Sequence, residues 1–182
     1  MRSIKFHLPN ILTFVNLSLG VMAILIAVSD STPSLLINAS LIIMLAALTD
    51  RFDGKVARLL GATSELGKEL DSLSDLISFG VAPIIISWKL SFVGFGIYGY
   101  IPAIIFPITG AYRLARFNIN TFENVFIGVP ITIAGALLSI VNLYNCSSML
   151  HGSYADINSY VTYIISIALA FLMVSKFKVK KR

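Results

Sequence analysis

The sequence is organised around one charged stretch, Thr49–Phe79, which reads TDRFDGKVARLLGATSELGKELDSLSDLISF. It follows an almost uncharged segment and precedes another. Four aspartates lie within it, and these are Asp50, Asp53, Asp71 and Asp75. They stand at the edges of segments that otherwise suit a lipid environment, so the reason for placing four acids there is the central question.

The composition indicates an integral membrane protein. Of 182 residues, 57% are hydrophobic and 13% are charged, whereas soluble domains average about 25% charged residues. This length allows one compact helical bundle, so residues 1–182 are expected to form a single transmembrane domain. Cys146 is the single cysteine, which excludes an internal disulfide and a Cys/His metal cluster.

Hydropathy predicts an all-α protein with six transmembrane helices, at about 8–28, 33–50, 71–88, 97–112, 125–144 and 158–175. With the N-terminus in the cytoplasm, thirteen of the fourteen Lys and Arg residues lie on the cytoplasmic side, as the positive-inside rule requires. A multi-pass cell-membrane protein is therefore expected, with both termini and the 51–70 segment cytoplasmic. The net charge of +5 needs no nucleic-acid partner, because a basic cytoplasmic face suits the anionic head groups of the lipid bilayer.

The depth of the acids follows from a length argument. Thirteen uncharged residues separate Asp75 from Lys89, and as a helix they span only about 20 Å. A membrane core of about 30 Å needs more, so the third helix must begin near Asp71 or earlier. Asp75 then lies below the hydrocarbon surface, where acids usually face a polar cavity and mark function.

The spacing of the acids predicts a metal site at the cytoplasmic membrane boundary. If the second helix continues past Asp50, then Asp50 and Asp53 share one of its faces, and Asp71 and Asp75 form a matching stripe on the third helix. Two divalent cations would balance four carboxylates, and a set of oxygen ligands alone favours Mg²⁺, Mn²⁺ or Ca²⁺ over zinc. The simpler alternative is that acids at helix ends are solvated caps.

The residues between the acids fit a phosphorylated ligand. Paired metals are a recurring solution for phosphoryl transfer. Gly54, Ala57 and Gly67 leave space for a bulky group near the backbone, and Arg58 offers a charge to a second phosphate.

The full pattern, D-x2-D-G-x2-A-R-x8-G-x3-D-x3-D, resembles the signature of the CDP-alcohol phosphotransferase family, whose members are membrane enzymes with six transmembrane helices. Every defined position is filled. The resemblance implies that the four aspartates bind two divalent metals and that Asp75 also acts as the general base. It further implies that the CDP moiety is held by Gly54, Ala57, Arg58 and Gly67.

Three further segments, 8–20, 112–119 and 126–135, are similar to the phosphatidylserine synthase branch of that family. They imply transfer of a phosphatidyl group from a CDP-diacylglycerol or CDP-diether lipid to L-serine, with release of CMP. Enzymes of this kind are often dimers, so the resemblance also implies a homodimer. In the last segment, Thr132 stands where a second proline is more common.

Each residue that could contact a substrate also has an alternative interpretation. Arg113 and Arg116 end the fourth span near the acids, and a serine carboxylate needs a cationic, forked partner; both could instead be positive-inside anchors. Asn118 is either a serine contact or a solvated loop residue. Asn10 and Thr13 lie at the depth of the acids and contact either the CDP-lipid or only neighbouring helices.

Other functions fit the sequence less well. The same chemistry with glycerol 3-phosphate or inositol phosphate as acceptor is the main competitor. A divalent-cation transporter would place acids near the midplane and continue polar residues to the far side, but the outer halves of these spans are apolar. A purely structural scaffold gives no reason for the acids.

Overall fold

The fold was obtained as a computed structural model, which describes residues 2–60, 64–119, 125–176 and 178–180. Side chains are described for residues 10–52, 59, 64–119 and 128–176. The described chain is helical apart from turns and two three-residue strands. Its α-helices are α1 Arg2–Ser29, α2 Pro33–Leu60, α3 Glu65–Asp75, α4 Ala82–Ser87, α5 Tyr100–Ile119, α6 Ile131–Leu150 and α7 Asp156–Val174.

Between α3 and α5 the chain changes several times between α-, π- and 3₁₀-helical conformation. π-helical turns occupy Leu76–Val81 and Trp88–Phe92, on either side of α4, and a 3₁₀ segment covers Val93–Gly99. Within that segment Gly96 has φ 56° and ψ −132°, which is not helical. Only glycine adopts such a conformation readily, so the chain changes direction here.

Five helical segments among the described residues are long and apolar enough to cross a membrane, which confirms a helical protein with several candidate spans. They are 10–29, 33–52, 65–119, 131–150 and 156–174. The third is 55 residues long and contains the non-helical backbone at Gly96. It covers both the third and the fourth of the six runs expected from the sequence.

The second helix continues past Asp50 as far as Leu60, and the third begins at Glu65. The N-cap of α3 is Ser64, whose hydroxyl accepts a hydrogen bond from the Gly67 amide at 3.0 Å, a standard way to satisfy a free N–H group. The predicted turn at 61–63 lies outside the described residues. The third helix therefore begins before Asp71, as the length argument requires.

The expected start of the fifth span at residue 125 was wrong. Residues 125–127 form a strand, β1 Val125–Ile127, which pairs antiparallel with β2 Lys178–Lys180. Helix α6 begins only at Ile131, after Gly128 with φ 72° and Pro130 as N-cap. An apolar run cannot reveal this boundary, because hydropathy is the same for a strand and for a buried helix.

Helices approach one another closely around the turn that follows Asp75. A Cβ atom at Gly20 would overlap the backbone of Ser78, and one at Gly135 would overlap the backbone of Phe79. The π-helical turn is thus held between α1 and α6. Small residues allow this close packing in a membrane, where apolar burial alone drives little association.

Candidate active site

Three aspartates from two helices form one cluster. Asp50 comes from α2, and Asp71 and Asp75 come from α3. One carboxylate oxygen of each lies within 4.8 Å of the others. Asp75 is buried at 8% exposure, whereas Asp50 and Asp71 are half-buried. The cluster therefore opens towards Asp50 and Asp71, and Asp75 is its most enclosed member.

The local geometry of α3 explains the arrangement. Asp71 and Asp75 are four residues apart on one helix, so their side chains lie on the same face one turn apart. Asp53, the fourth predicted ligand, belongs to the described helical backbone of α2. Its side chain lies outside the described residues, as do the side chains of Ala57 and Arg58 and the surroundings of Gly54.

The hydrogen bonds of Asp50 connect the cluster to α6. Its carboxylate lies within hydrogen-bonding reach of the Asp75 carboxyl group, and it accepts a hydrogen bond from the Thr132 hydroxyl. Two ionised carboxylates avoid such proximity unless a proton or a cation lies between them. Clustered oxygen ligands without nitrogen or sulfur fit a hard divalent cation such as Mg²⁺ or Mn²⁺.

Arg113 of α5 is a buried cation that interacts with the acidic cluster. It is 8% exposed and interacts electrostatically with Asp75. Its Nε atom is buried and has no hydrogen-bond partner among the described residues. A buried guanidinium with a free donor is suited to an anionic group.

The other two candidate serine contacts have structural partners. Arg116 donates from Nη1 to the carbonyl of Val174 at 3.3 Å, which ties α5 to the end of α7, and its guanidinium lies 5.9 Å from the Tyr112 ring centroid. Asn118 donates to Glu69 at 3.2 Å and to Ser72 at 3.0 Å. Arg113 is therefore the best placed of the three, while the roles of all three stay predictions.

Helix α1, which carries the CDP-lipid candidates Asn10 and Thr13, packs directly against α3. A Cβ atom at Gly67 would come within 3.2 Å of the Asn10 side-chain oxygen. One turn further, the carbonyl of Thr13 accepts a hydrogen bond from Ser74 at 3.1 Å. Asn10 thus lies close to Gly67, and Thr13 lies next to Ser74, the residue before Asp75.

Two residues at the site had no role assigned from the sequence. Thr132 was noticed only as a departure from the usual proline, and its contact with Asp50 depends on how α2 packs against α6. Asn16 belongs to the segment 8–20, and its contact with Ser78 in the π-helical turn after α3 likewise depends on tertiary packing. No sequence signal identifies either contact.

The described residues thus define a helical protein with several membrane-crossing candidates and a cluster of three carboxylates that could hold a metal ion. The family model for CDP-alcohol phosphatidyltransferases matches residues 6–175. The chain therefore belongs to the CDP-alcohol phosphatidyltransferase family.

Curated relatives resemble the chain over most of its length. A CDP-diacylglycerol–serine O-phosphatidyltransferase of Helicobacter pylori is 37% identical over 174 residues, covering 93% of this chain and 70% of the relative. The enzyme of that name in Bacillus subtilis is 34% identical over 173 residues, covering 94% and 89%. An archaetidylserine synthase of Methanothermobacter thermautotrophicus is 37% identical over 172 residues, covering 92% and 67%.

Proposed function

We propose that this chain is a phospholipid-synthesising transferase that moves the phosphatidyl group of a CDP-lipid to the hydroxyl of L-serine. The observation that carries the proposal is the cluster of three carboxylates from two helices, together with the electrostatic interaction between Arg113 and Asp75. The names of the relatives support serine as acceptor. They include a CDP-diacylglycerol donor in one relative and archaetidylserine as the product of another, so the lipid is proposed to be a CDP-diacylglycerol or a CDP-diether.

The cofactors are proposed to be two divalent cations, Mg²⁺ or Mn²⁺, with Ca²⁺ as a further option. Their ligands would be Asp50, Asp53, Asp71 and Asp75, of which three are clustered and Asp53 lies one turn from Asp50 on the same helix. When bound, such ions neutralise the diphosphate and stabilise the leaving group.

Proton transfer and substrate binding are assigned to side chains of the protein. Asp75 takes the proton of the serine hydroxyl, because it is the most enclosed of the three clustered carboxylates. Arg113 binds the serine carboxylate. The CDP moiety is held along α1, α2 and α3 by Asn10, Thr13, Gly54, Ala57, Arg58 and Gly67.

The reaction balances without any oxidant or reductant. A bond forms between the serine hydroxyl oxygen and the lipid-side phosphorus, and the bond from that phosphorus to the bridging diphosphate oxygen breaks. CMP leaves with the electron pair of the broken bond, and the hydroxyl proton passes to Asp75. The tails stay in the bilayer, so the depth of the cluster fits a diphosphate that is tethered to the membrane.

An acceptor panel tests this function. Purified protein in detergent is given one CDP-lipid, Mg²⁺ or Mn²⁺, and in turn L-serine, glycerol 3-phosphate or inositol phosphate, and CMP release is measured. We expect serine to support turnover that EDTA abolishes. Preference for a phosphorylated acceptor would contradict the serine assignment, and metal-dependent uptake of cations into vesicles without CMP release would favour a transporter.

Six spans with a cytoplasmic active site are also proposed. The segment 65–119 is 55 residues long, or about 80 Å as a continuous helix, whereas a membrane core is about 30 Å thick. The non-helical backbone at Gly96 divides it into two segments, each long enough to cross. An even number of spans and the basic residues near the acids then favour cytoplasmic termini. The homodimer stays a prediction.

Cysteine labelling tests this orientation. Cys146 cannot report on its own, because it lies inside α6 and is fully buried. In a Cys146→Ala background, Glu65→Cys and Ser153→Cys each place a thiol at an exposed position on opposite ends of the bundle. We expect an impermeant maleimide added outside intact cells to label only position 153, with position 65 labelled after lysis. Labelling of both positions from one side would contradict the six-span arrangement.

A further inference from the structure

Asn16 is a polar residue enclosed in the membrane-embedded part of the bundle. Its side chain is 0% exposed, and neither the oxygen nor the nitrogen of its amide has a hydrogen-bond partner among the described residues. Burying an unpaired amide is costly, and it costs more in a membrane, where no water compensates. A buried amide that lowers the stability of the fold in this way points to a function.

The position of Asn16 follows from the backbone contacts of α1. The carbonyl of Thr13 accepts a hydrogen bond from Ser74, and the carbonyl of Asn16 accepts one from Ser78 at 3.0 Å. Asp75 lies between these two serines in the sequence. Because side chains lean towards the N-terminus of their own helix, the Asn16 amide is directed from the level of Ser78 back towards the level of Asp75.

A second buried asparagine shows the hydrogen bonds expected of an amide whose role is to stabilise packing. Asn142 on α6 is also 0% exposed. Its oxygen accepts a hydrogen bond from Ser87 at 2.7 Å, and its nitrogen donates to the carbonyl of Pro83 at 2.9 Å. Both ends of this amide are therefore satisfied by the protein. Asn16 has the same burial and the same chemistry but none of these bonds.

We propose that the Asn16 amide forms the floor of the acceptor site and binds the amino-acid acceptor, an inference that rests on the proposed function. A serine zwitterion presents an ammonium group, which needs an acceptor, and a carboxylate, which needs donors; one amide offers both. It does so without adding a charge beside three carboxylates. Arg113 of α5, whose buried Nε donor has no partner among the described residues, also interacts with Asp75 and would complement the amide.

The depth of Asn16 in the bundle favours contact with the acceptor over contact with the nucleotide. Asn10 contacts the region of Gly67 near the start of α3, whereas Asn16 lies beyond Ser74, about two helical turns deeper. The proposed base, Asp75, must touch the acceptor hydroxyl, and Asn16 lies at its level. Because the amide is fully enclosed, acceptor binding is expected to loosen the packing of α1 against α3.

The test makes the same substitution at the two buried asparagines. Asn16→Leu and Asn142→Leu each replace an amide by an apolar group of similar size. We expect Asn16→Leu to raise the KM for serine at least about tenfold, as for loss of a hydrogen bond to a charged group. The KM for CDP-lipid should stay within about threefold, and Tm in detergent should not fall, since no internal bond is lost. Asn142→Leu should lower Tm and leave the KM for serine unchanged.

Arg113→Ala in the same assay provides the reference for an acceptor contact. We expect it to raise the KM for serine by about 10- to 100-fold, while Arg116→Ala, which loses a bond to the end of α7, should chiefly lower Tm. Asn16→Leu should resemble Arg113→Ala in its kinetics and differ from Arg116→Ala in its stability.

The outcomes separate this inference from the proposed function. If wild-type protein uses serine but Asn16→Leu keeps the wild-type KM for serine, the inference about Asn16 is wrong and the function stands. A rise confined to the KM for CDP-lipid, or a fall in Tm like that of Asn142→Leu without a kinetic change, also overturns it. If Asn16→Leu does not fold, Asn16→Ala is measured, and failure of both to fold assigns Asn16 to packing. If wild-type protein rejects serine, the proposed function itself fails.

Discussion

Replacing Asp71 with asparagine is expected to lower kcat/KM for CDP-lipid by at least about 100-fold. The substitution keeps the size of the side chain and removes one negative charge from a cluster whose ligand atoms lie within 4.8 Å of one another. Removing one preorganised electrostatic group from a low-dielectric site typically costs two to three orders of magnitude. Asp50→Asn should behave similarly, because Asp50 also belongs to the cluster.

The measurement is CMP release at increasing Mg²⁺ or Mn²⁺ concentration, together with direct titration of metal binding. A ligand role predicts that Asp71→Asn weakens metal binding as well as the rate. Asp156→Asn is the matched control, because Asp156 is an exposed acid in the first turn of α7, outside the cluster. Asp71→Asn activity within threefold of the control would contradict the metal assignment, and a single ion at saturation would contradict the two-ion proposal.

Much of this site is accessible from the sequence because it depends on local periodicity. Two acids four residues apart must share a helix face, and a span too short to cross must begin earlier. Both arguments hold in the structure, where α3 begins at Glu65 and Asp71 and Asp75 lie together. The acids of α2 and α3 meet because α2 continues past Asp50, which the sequence argument required.

Features that depend on tertiary packing were not accessible in this way. Arg113 and Arg116 are three residues apart at the end of one helix, with the same charge and almost the same depth. Arg113 is buried and interacts electrostatically with Asp75, whereas Arg116 donates a hydrogen bond to the end of α7. Sequence reasoning gave them equal weight, because which of two neighbouring arginines faces a pocket depends on the rotation of α5 within the bundle.

The sequence also did not reveal the boundaries between neighbouring apolar elements. Residues 125–130 are nearly as apolar as the helix that follows, so the expected fifth span absorbed a strand and a turn. The break at Gly96 was anticipated only as a gap between two runs, since several glycines in that region are equally able to adopt positive φ. Hydropathy reports lipid compatibility and does not report backbone conformation.

Replacing Asp75 with asparagine is expected to have the largest effect, with transfer reduced below detection. Asp75 is proposed both to bind metal and to take the proton of the acceptor, and asparagine cannot accept that proton. Its enclosure at 8% exposure, compared with the half-buried Asp50 and Asp71, keeps bulk water from replacing it. General-base catalysis contributes about 100- to 10,000-fold, in addition to the loss of one metal ligand.

Asp71→Asn separates these two contributions, because it removes a ligand from the same helix face without removing the base. We expect Asp75→Asn to lose at least about tenfold more kcat than Asp71→Asn. CDP-lipid binding, measured by titration without acceptor, should stay within about tenfold of wild type for Asp75→Asn. Equal losses of kcat in the two variants would make Asp75 a metal ligand only, and substantial turnover of Asp75→Asn at neutral pH would exclude it as the base. A base role further predicts that any residual activity of Asp75→Asn rises with pH, since hydroxide can then take the proton that Asp75 no longer accepts.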